Sequence, residues 1–234
     1  MSCVLYERAG SPAPVFIDNN SAVPFSVGHF YINLVDCFWR KGTFFDKDGD
    51  GMPLYAFEGK KPRIRRTSYV HEAAVVIGNV TIGENCYVGA GACLRGDWGE
   101  IVVCDGSNIQ ENAVIHAGPE STTFLGPNSH VGHGAILHGC RLEEHVLVGM
   151  GAIINDGAHL GEGAVIASGA LVPPGMEVPA DKLLVGVPAR VIKDVDEQVR
   201  QFIWAGTRLY QTLPGRYHAS LMRLSPEECT AEEK

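Results

Sequence analysis

Aliphatic residues recur every six positions along most of this chain, at Ile82, Val88 and Leu94, then Val103, Ile109 and Ile115, then Leu125, Val131 and Leu137. A last unbroken series runs Leu142, Val148, Ile154, Leu160, Ile166, Val172 and Val178. So short a period predicts a coiled solenoid rather than a globular sandwich. Three places after an anchor stand Asn85, Gly91, Gly106, Asn112, Asn128, Gly134, Gly151, Gly157, Gly163 and Gly169. Asn and Gly tolerate a left-handed backbone, so each hexapeptide carries its own turn. One place later come small residues that suit a crowded inner corner: Cys86, Ala92, Ser107, Ala113, Ser129, Ala135, Ala152, Ala158, Ala164 and Ala170.

The pattern resembles the hexapeptide-repeat family, whose members fold as left-handed parallel β-helices of triangular section with three hexapeptides per coil. The fold expected is therefore an all-β solenoid of that kind, followed by a C-terminal α-helix. At eighteen residues per coil, His116 and His138 can be placed. Each follows an anchor by one position, and they stand twenty-two apart, with four extra residues looping out near Gly118 to Ser121. Subtracting the loop leaves one coil, so the two share a face. Stacked strands lie about 4.7–4.9 Å apart, close enough for two imidazoles to grip one ion. His133 falls on the neighbouring face or corner and cannot join that pair within its own chain. It can be offered to a second copy, and a closed three-fold ring would make three such sites.

A more specific resemblance is carried by Arg95-Gly96-Asp97, Asn108-Ile109-Gln110, Val114-Ile115-His116, Val131-Gly132-His133 and Leu137-His138-Gly139. These resemble the γ-class carbonic anhydrases. The resemblance implies zinc held by His116, His133 and His138 between the subunits of a homotrimer; the sequence itself does not choose between zinc and iron or cobalt. The resemblance also implies that Gln110 and Asn108 orient water and substrate, and that Arg95 and Asp97 support the site and the trimer contact. A longer stretch, Met52 to about Leu224, is similar to the PaaY and CaiE group of phenylacetate-degradation and carnitine-operon proteins. Its signatures are Met52–Gly59, His130–Cys140 and Gly206–Gln211. That group implies acyl-CoA thioester hydrolysis beside CO2 hydration, either one using hydroxide formed on the metal. Two departures from the γ-class pattern stand out: Trp98 replaces an acidic residue after Asp97, and the loop after His116 holds only Glu120 as an acid.

Composition narrows the classes. A formal net charge of −8 without a basic stripe argues against nucleic acid. The cluster Lys60, Lys61, Arg63, Arg65 and Arg66 reads as solvated charge. No apolar run reaches membrane length, and the amino terminus lacks a secretion pattern, so no membrane partner is expected. Seven cysteines show no CxxC spacing, and Cys86, Cys93, Cys104 and Cys140 lie inside repeats as small apolar residues. These features predict a reduced, cytoplasmic protein whose partners are copies of itself and a small molecule, CO2/bicarbonate or an acyl-CoA.

The chain divides into residues 1–51, 52–192 and 193–234. The first part holds no hexapeptide and reads either as an upstream extension from a misassigned start or as a loosely packed arm. Within it Asp46-Lys-Asp-Gly-Asp-Gly51 imitates a calcium loop, but Phe57 stands where the bidentate Glu belongs. After Pro188 the period changes. Asp194 with Glu197 predicts a helix start, and Val195, Val199, Phe202, Ile203, Leu209, Tyr210 and Leu213 form a helical stripe that would pack on the solenoid. Tyr210 is a candidate to lean into the metal site, and His130 to line its cleft. His29, His71, His145, His159 and His218 have no stacked partner and read as surface or core residues. A metal-free hexapeptide acyltransferase, suggested by Gly186-Val-Pro-Ala-Arg190, and a non-enzymatic trimeric assembly protein are the competing classes.

Overall fold

The computed structural model describes residues 53–230 together with the short antiparallel pair Ser26–Val27 and Phe30–Tyr31. The chain forms two compact units, Met1–Asp50 and Gly51–Lys234. The Asp46–Gly51 stretch and His29 lie outside the described residues.

The second unit is a left-handed parallel β-helix of about 7 turns with one C-terminal helix. Three columns of anchors fill its interior, each residue in register with its counterpart one coil away. One column runs Leu94, Ile115, Leu137, Ile154 and Val172. A second runs Val103, Leu125, Leu142, Leu160 and Val178, and a third Ile109, Val131, Val148, Ile166 and Leu184. Nearly all are fully buried in one continuous core. Every Asn and Gly in the predicted turn column has positive φ, and the column extends to His145 at 59° and Asp181 at 57°. A single Cβ clash would break such a turn in most residue types, and this is why the column is restricted.

The hexapeptide rule fails at one corner only, and the failures stack. Leu94 to Val103 takes nine residues, Ile115 to Leu125 ten and Leu137 to Leu142 five. The first interval is crossed by a single strand, Cys93–Val103. Gly96 makes that path feasible, because a Cβ there would meet the Asn79 carbonyl oxygen at 2.5 Å. The second interval contains the predicted loop between strands Val114–His116 and Thr122–Leu125. Buried Thr123 closes it, donating from Oγ1 to the His116 carbonyl at 2.6 Å and accepting from the Gly139 amide at 2.9 Å.

The solenoid ends in a hairpin, Lys182–Val185 against Arg190–Asp194, and the helix Glu197–Ser220 returns along the outside. The helix cap corrects the sequence expectation. Asp196, not Asp194, accepts from the Val199 amide at 2.9 Å. Asp194 is drawn instead into an ion pair with Lys182 across the hairpin. The stripe is also narrower than expected. Val195, Val199 and Ile203 pack with Trp204 on Leu147, Val165 and Leu183, while Phe202 and Leu209 face solvent. Thr207 and Pro214 take the buried places further along.

Cys86 and Cys140 are buried, and burial pushes their thiols up to about 11 and about 12, as expected of inert packing residues. Cys93 and Cys104 are half-buried. Among the described residues no helix is long and apolar enough to cross a membrane.

Candidate metal centre

Two clusters of chemistry-bearing side chains sit on adjacent faces of the coil. On the irregular corner, Arg95, His116 and His138 occupy one register column. The imidazoles of His116 and His138 have ring centres 4.9 Å apart, with His116 Nδ1 2.9 Å from His138 Nε2. Each remaining nitrogen meets a carboxylate: His116 Nε2 lies 3.0 Å from Asp97 Oδ1, and His138 Nδ1 lies 2.6 Å from Asp156 Oδ1. Arg95 clamps the other Asp97 oxygen at 2.6 Å. Burial alone would raise the Asp97 pKa, but the hydrogen bonds from Arg95 and His116 outweigh it and hold the carboxyl below its ordinary value.

Those carboxylates decide the tautomers. An ionised carboxylate only accepts, so the protons belong on His116 Nε2 and His138 Nδ1. The two nitrogens that face each other are then both lone pairs, 2.9 Å apart. Such a pair calls for a proton or a cation between them. Imidazole donors oriented by carboxylates are the usual first and outer shells of zinc, iron and cobalt sites, so these residues fit a divalent transition metal. His159 shows the contrast: Glu143 and Glu177 stand against both of its nitrogens, so neither faces another imidazole.

The second cluster lies on the face carrying strands Asn108–Ile109 and His130–Val131, which pair directly with His130 opposite Asn108. Asn108 and Gln110 are buried there, with Gln110 donating to Asn108 Oδ1 at 3.1 Å, and their amide groups lie 3.2 and 2.5 Å from the two nitrogens of His130, of which a neutral ring can accept at one. Burial, with the nearby charge of His133, lowers the His130 pKa to about 4, so its ring is neutral near pH 7. Tyr210, from the C-terminal helix, stands edge-on to His130 at 5.2 Å and packs on Tyr87 at 5.7 Å. His133 bonds to Glu111 through Nδ1 at 2.7 Å.

Within one chain the described residues hold no group of three or more His, Cys, Asp or Glu side chains that could bind a metal ion. His116 and His138 come together; His133 belongs to the other cluster, along with Asn108, Gln110 and Tyr210. No hydrogen bond or ion pair of the described residues joins the two clusters. Sequence reasoning missed Asp156 and Glu111. Both were findable: Asp156 lies eighteen residues after His138, and Glu111 lies twenty-two before His133 across the same four-residue loop.

The solenoid, its turn column and its corner insertions define a hexapeptide-repeat protein. The family description "Bacterial transferase hexapeptide (six repeats)" matches residues 61–96 and 139–174, and "Hexapeptide repeat of succinyl-transferase" matches 79–118. The carnitine operon protein CaiE of Escherichia coli O157:H7 is 42% identical over 175 residues, covering 75% of this chain and 89% of that protein. Two solved structures share the fold. A Bacillus cereus protein assigned as an acetyltransferase has a TM-score of 0.70 and 32% identity over 71% of this chain and 96% of its own. A hexapeptide transferase family protein from Anaplasma phagocytophilum has a TM-score of 0.68 and 34% identity over 71% and 98%. The chain belongs to the CaiE group of the hexapeptide-repeat, transferase-like family.

Proposed function

We propose that the protein is a metal-dependent hydrolase or hydratase with its sites between the protomers of a homotrimer. His116 and His138 of one chain and His133 of the next would hold a zinc, iron or cobalt ion. The observation that carries this reading is the pair of facing nitrogens on His116 and His138, 2.9 Å apart, each ring fixed from behind by a carboxylate. When bound, an ion of this kind acts as a Lewis acid and brings the ionisation of water close to neutral pH.

The chain's own residues do the rest. Arg95 holds Asp97, and Asp97 and Asp156 hold the two rings. Asn108 and Gln110 lie buried on the face that also bears His133 and hold the His130 ring in place there. Trp98 is 63% exposed beside Asp97, and Val114 and Ile136 are half-exposed on the face of the histidine pair. That apolar surround suits an acyl chain better than CO2, so acyl-CoA thioester hydrolysis stands ahead of CO2 hydration.

A second reading has one observation in its favour. His138 against Asp156 at 2.6 Å is also how a general base is held in metal-free acyl transfer, and two relatives are assigned as transferases. Elemental analysis of the purified protein, with thioesterase and CO2 hydration assays before and after chelation, separates the two. Metal-dependent turnover supports the first reading. Acyl transfer to an acceptor, unaffected by chelator, supports the second. Neither metal nor turnover leaves a trimeric assembly protein.

A further inference from the structure

Glu111 is built into the coil from both sides. Its Oε1 accepts the hydroxyl of Tyr87 at 2.8 Å, and its Oε2 lies 2.7 Å from His133 Nδ1. Tyr87 is 2% exposed, stacked on Tyr69 at 6.1 Å and covered by Tyr217 of the C-terminal helix at 5.6 Å. A buried phenol needs an acceptor, so Tyr87 fixes the Glu111 side chain whatever His133 does. Gly89 leaves room for it: a Cβ at that position would stand 2.6 Å from Glu111 Oε1. An exposed ion pair alone would contribute little order, but a carboxylate pinned by a buried hydroxyl is a rigid platform. Because it only accepts, it holds the proton on His133 Nδ1 and leaves the lone pair on Nε2, at the outer end of the ring.

We propose that Glu111, pinned by Tyr87 beneath the C-terminal helix, is the positioning residue that fixes His133 as its Nδ1–H tautomer and presents Nε2 outward as a transition-metal donor. The metal half of this proposal rests on the reading of the site given above; the tautomer half does not.

The test uses full-length protein labelled with ¹⁵N-histidine and stripped of metal. Two-bond ¹H–¹⁵N correlation spectra, with His133 assigned from the His133→Gln spectrum, report the tautomer directly. Wild type should show Nδ1–H. In Glu111→Gln the Tyr87 hydroxyl still donates to the side-chain oxygen, so the amide NH2 faces Nδ1 and the proton should move to Nε2. Adding Tyr87→Phe frees the amide to turn and should restore part of the wild-type signal. Zinc affinity by chelator competition should fall about 10–100-fold in Glu111→Gln. Tyr87→Phe alone, which keeps the ring packing, should fall by less. Wild-type His133 as the Nε2–H tautomer, or a Glu111→Gln protein with unchanged tautomer and unchanged zinc affinity, overturns the proposal. Wild type that takes up no zinc overturns the metal reading and the metal half with it, while the spectra still decide the tautomer half.

Discussion

His116 Nδ1 and His138 Nε2 face each other across 2.9 Å, while Asp97 and Asp156 occupy the far side of the two rings. The arrangement depends on coil geometry more than on either residue. One turn of the solenoid plus a four-residue loop separates them in sequence, and the buried Thr123 hydroxyl holds the loop to both strands. A prism of stacked strands offers few places where two imidazoles can meet edge to edge. This one lies at the corner where the repeat breaks.

The first prediction concerns the outer carboxylate. Asp156 is exposed, so Asp156→Asn should leave the fold intact; its effect should fall on the His138 tautomer. A neutral amide lacks the charge that holds the proton on Nδ1 and, unpinned, can present either its oxygen or its NH2 to that nitrogen, so the lone pair on Nε2 needed for the ion is no longer fixed. Metal affinity should drop about 10–100-fold with the melting temperature nearly unchanged. Competition with a chromophoric chelator measures the first and differential scanning fluorimetry the second. Wild-type affinity in this variant would remove Asp156 from the site.

The second concerns steric space in the corner. Gly157 has φ 69° and only distant neighbours for an added Cβ, at 3.6 and 3.7 Å, so Gly157→Ala should cost about 1–2 kcal/mol through backbone strain alone. Gly96 has a Cβ site 2.5 Å from a backbone oxygen, which cannot yield like a flexible side chain. Gly96→Ala should therefore be the more destabilising, and by shifting Arg95 and Asp97 it should also weaken metal uptake. Urea midpoints of the two variants, compared at one pH, settle the order.

Most of the fold was legible in the sequence because a hexapeptide repeat states its burial, its turn and its corner in three separate columns. The His116–His138 pair was legible for the same reason, once the loop was subtracted. Glu111 and Asp156 were not singled out, since a surface carboxylate in a repeat is ordinarily solvated and only its coil register reveals a partner. The helix start was misread by two residues because Asp194 and Asp196 are equally good caps in isolation. The hairpin partner Lys182, distant in sequence, claims Asp194. Phe202 and Leu209 fit a helical period yet face solvent, because the helix touches the solenoid along a strip centred on Ile203, Thr207 and Pro214.

The third prediction is a pH dependence from His130. Its pKa drops from 6.5 in the unfolded chain to about 4 in the fold, chiefly because burial disfavours the charged ring. The unfolded chain thus binds the extra proton between those values. The contribution is fully present above about pH 6.5 and is lost as pH falls toward about 4, on the order of 3 kcal/mol in all. Metal-free wild type should lose stability across that window more steeply than His130→Gln, in which the other histidines still titrate. Equal slopes in chemical denaturation at pH 7, 6 and 5 would count against a buried neutral His130.

The last prediction addresses the division of the ligands. Within one chain His133 is tied to Glu111 on one face, while His116 and His138 are tied to Asp97 and Asp156 on another. His133→Ala and His138→Ala homotrimers should each lack bound metal and turnover. Unfolding the two together and reassembling them creates interfaces at which a His133→Ala chain supplies His116 and His138 and its His138→Ala neighbour supplies His133. Counting ordered neighbours in a three-fold ring assembled from equal pools, roughly a quarter of the interfaces regain all three ligands. Bound metal should recover toward that fraction, and turnover with it. Native mass spectrometry establishes that mixed trimers have formed. If they form and bind no more metal than either parent, the ligands are not shared between protomers, and the two faces must serve separate purposes.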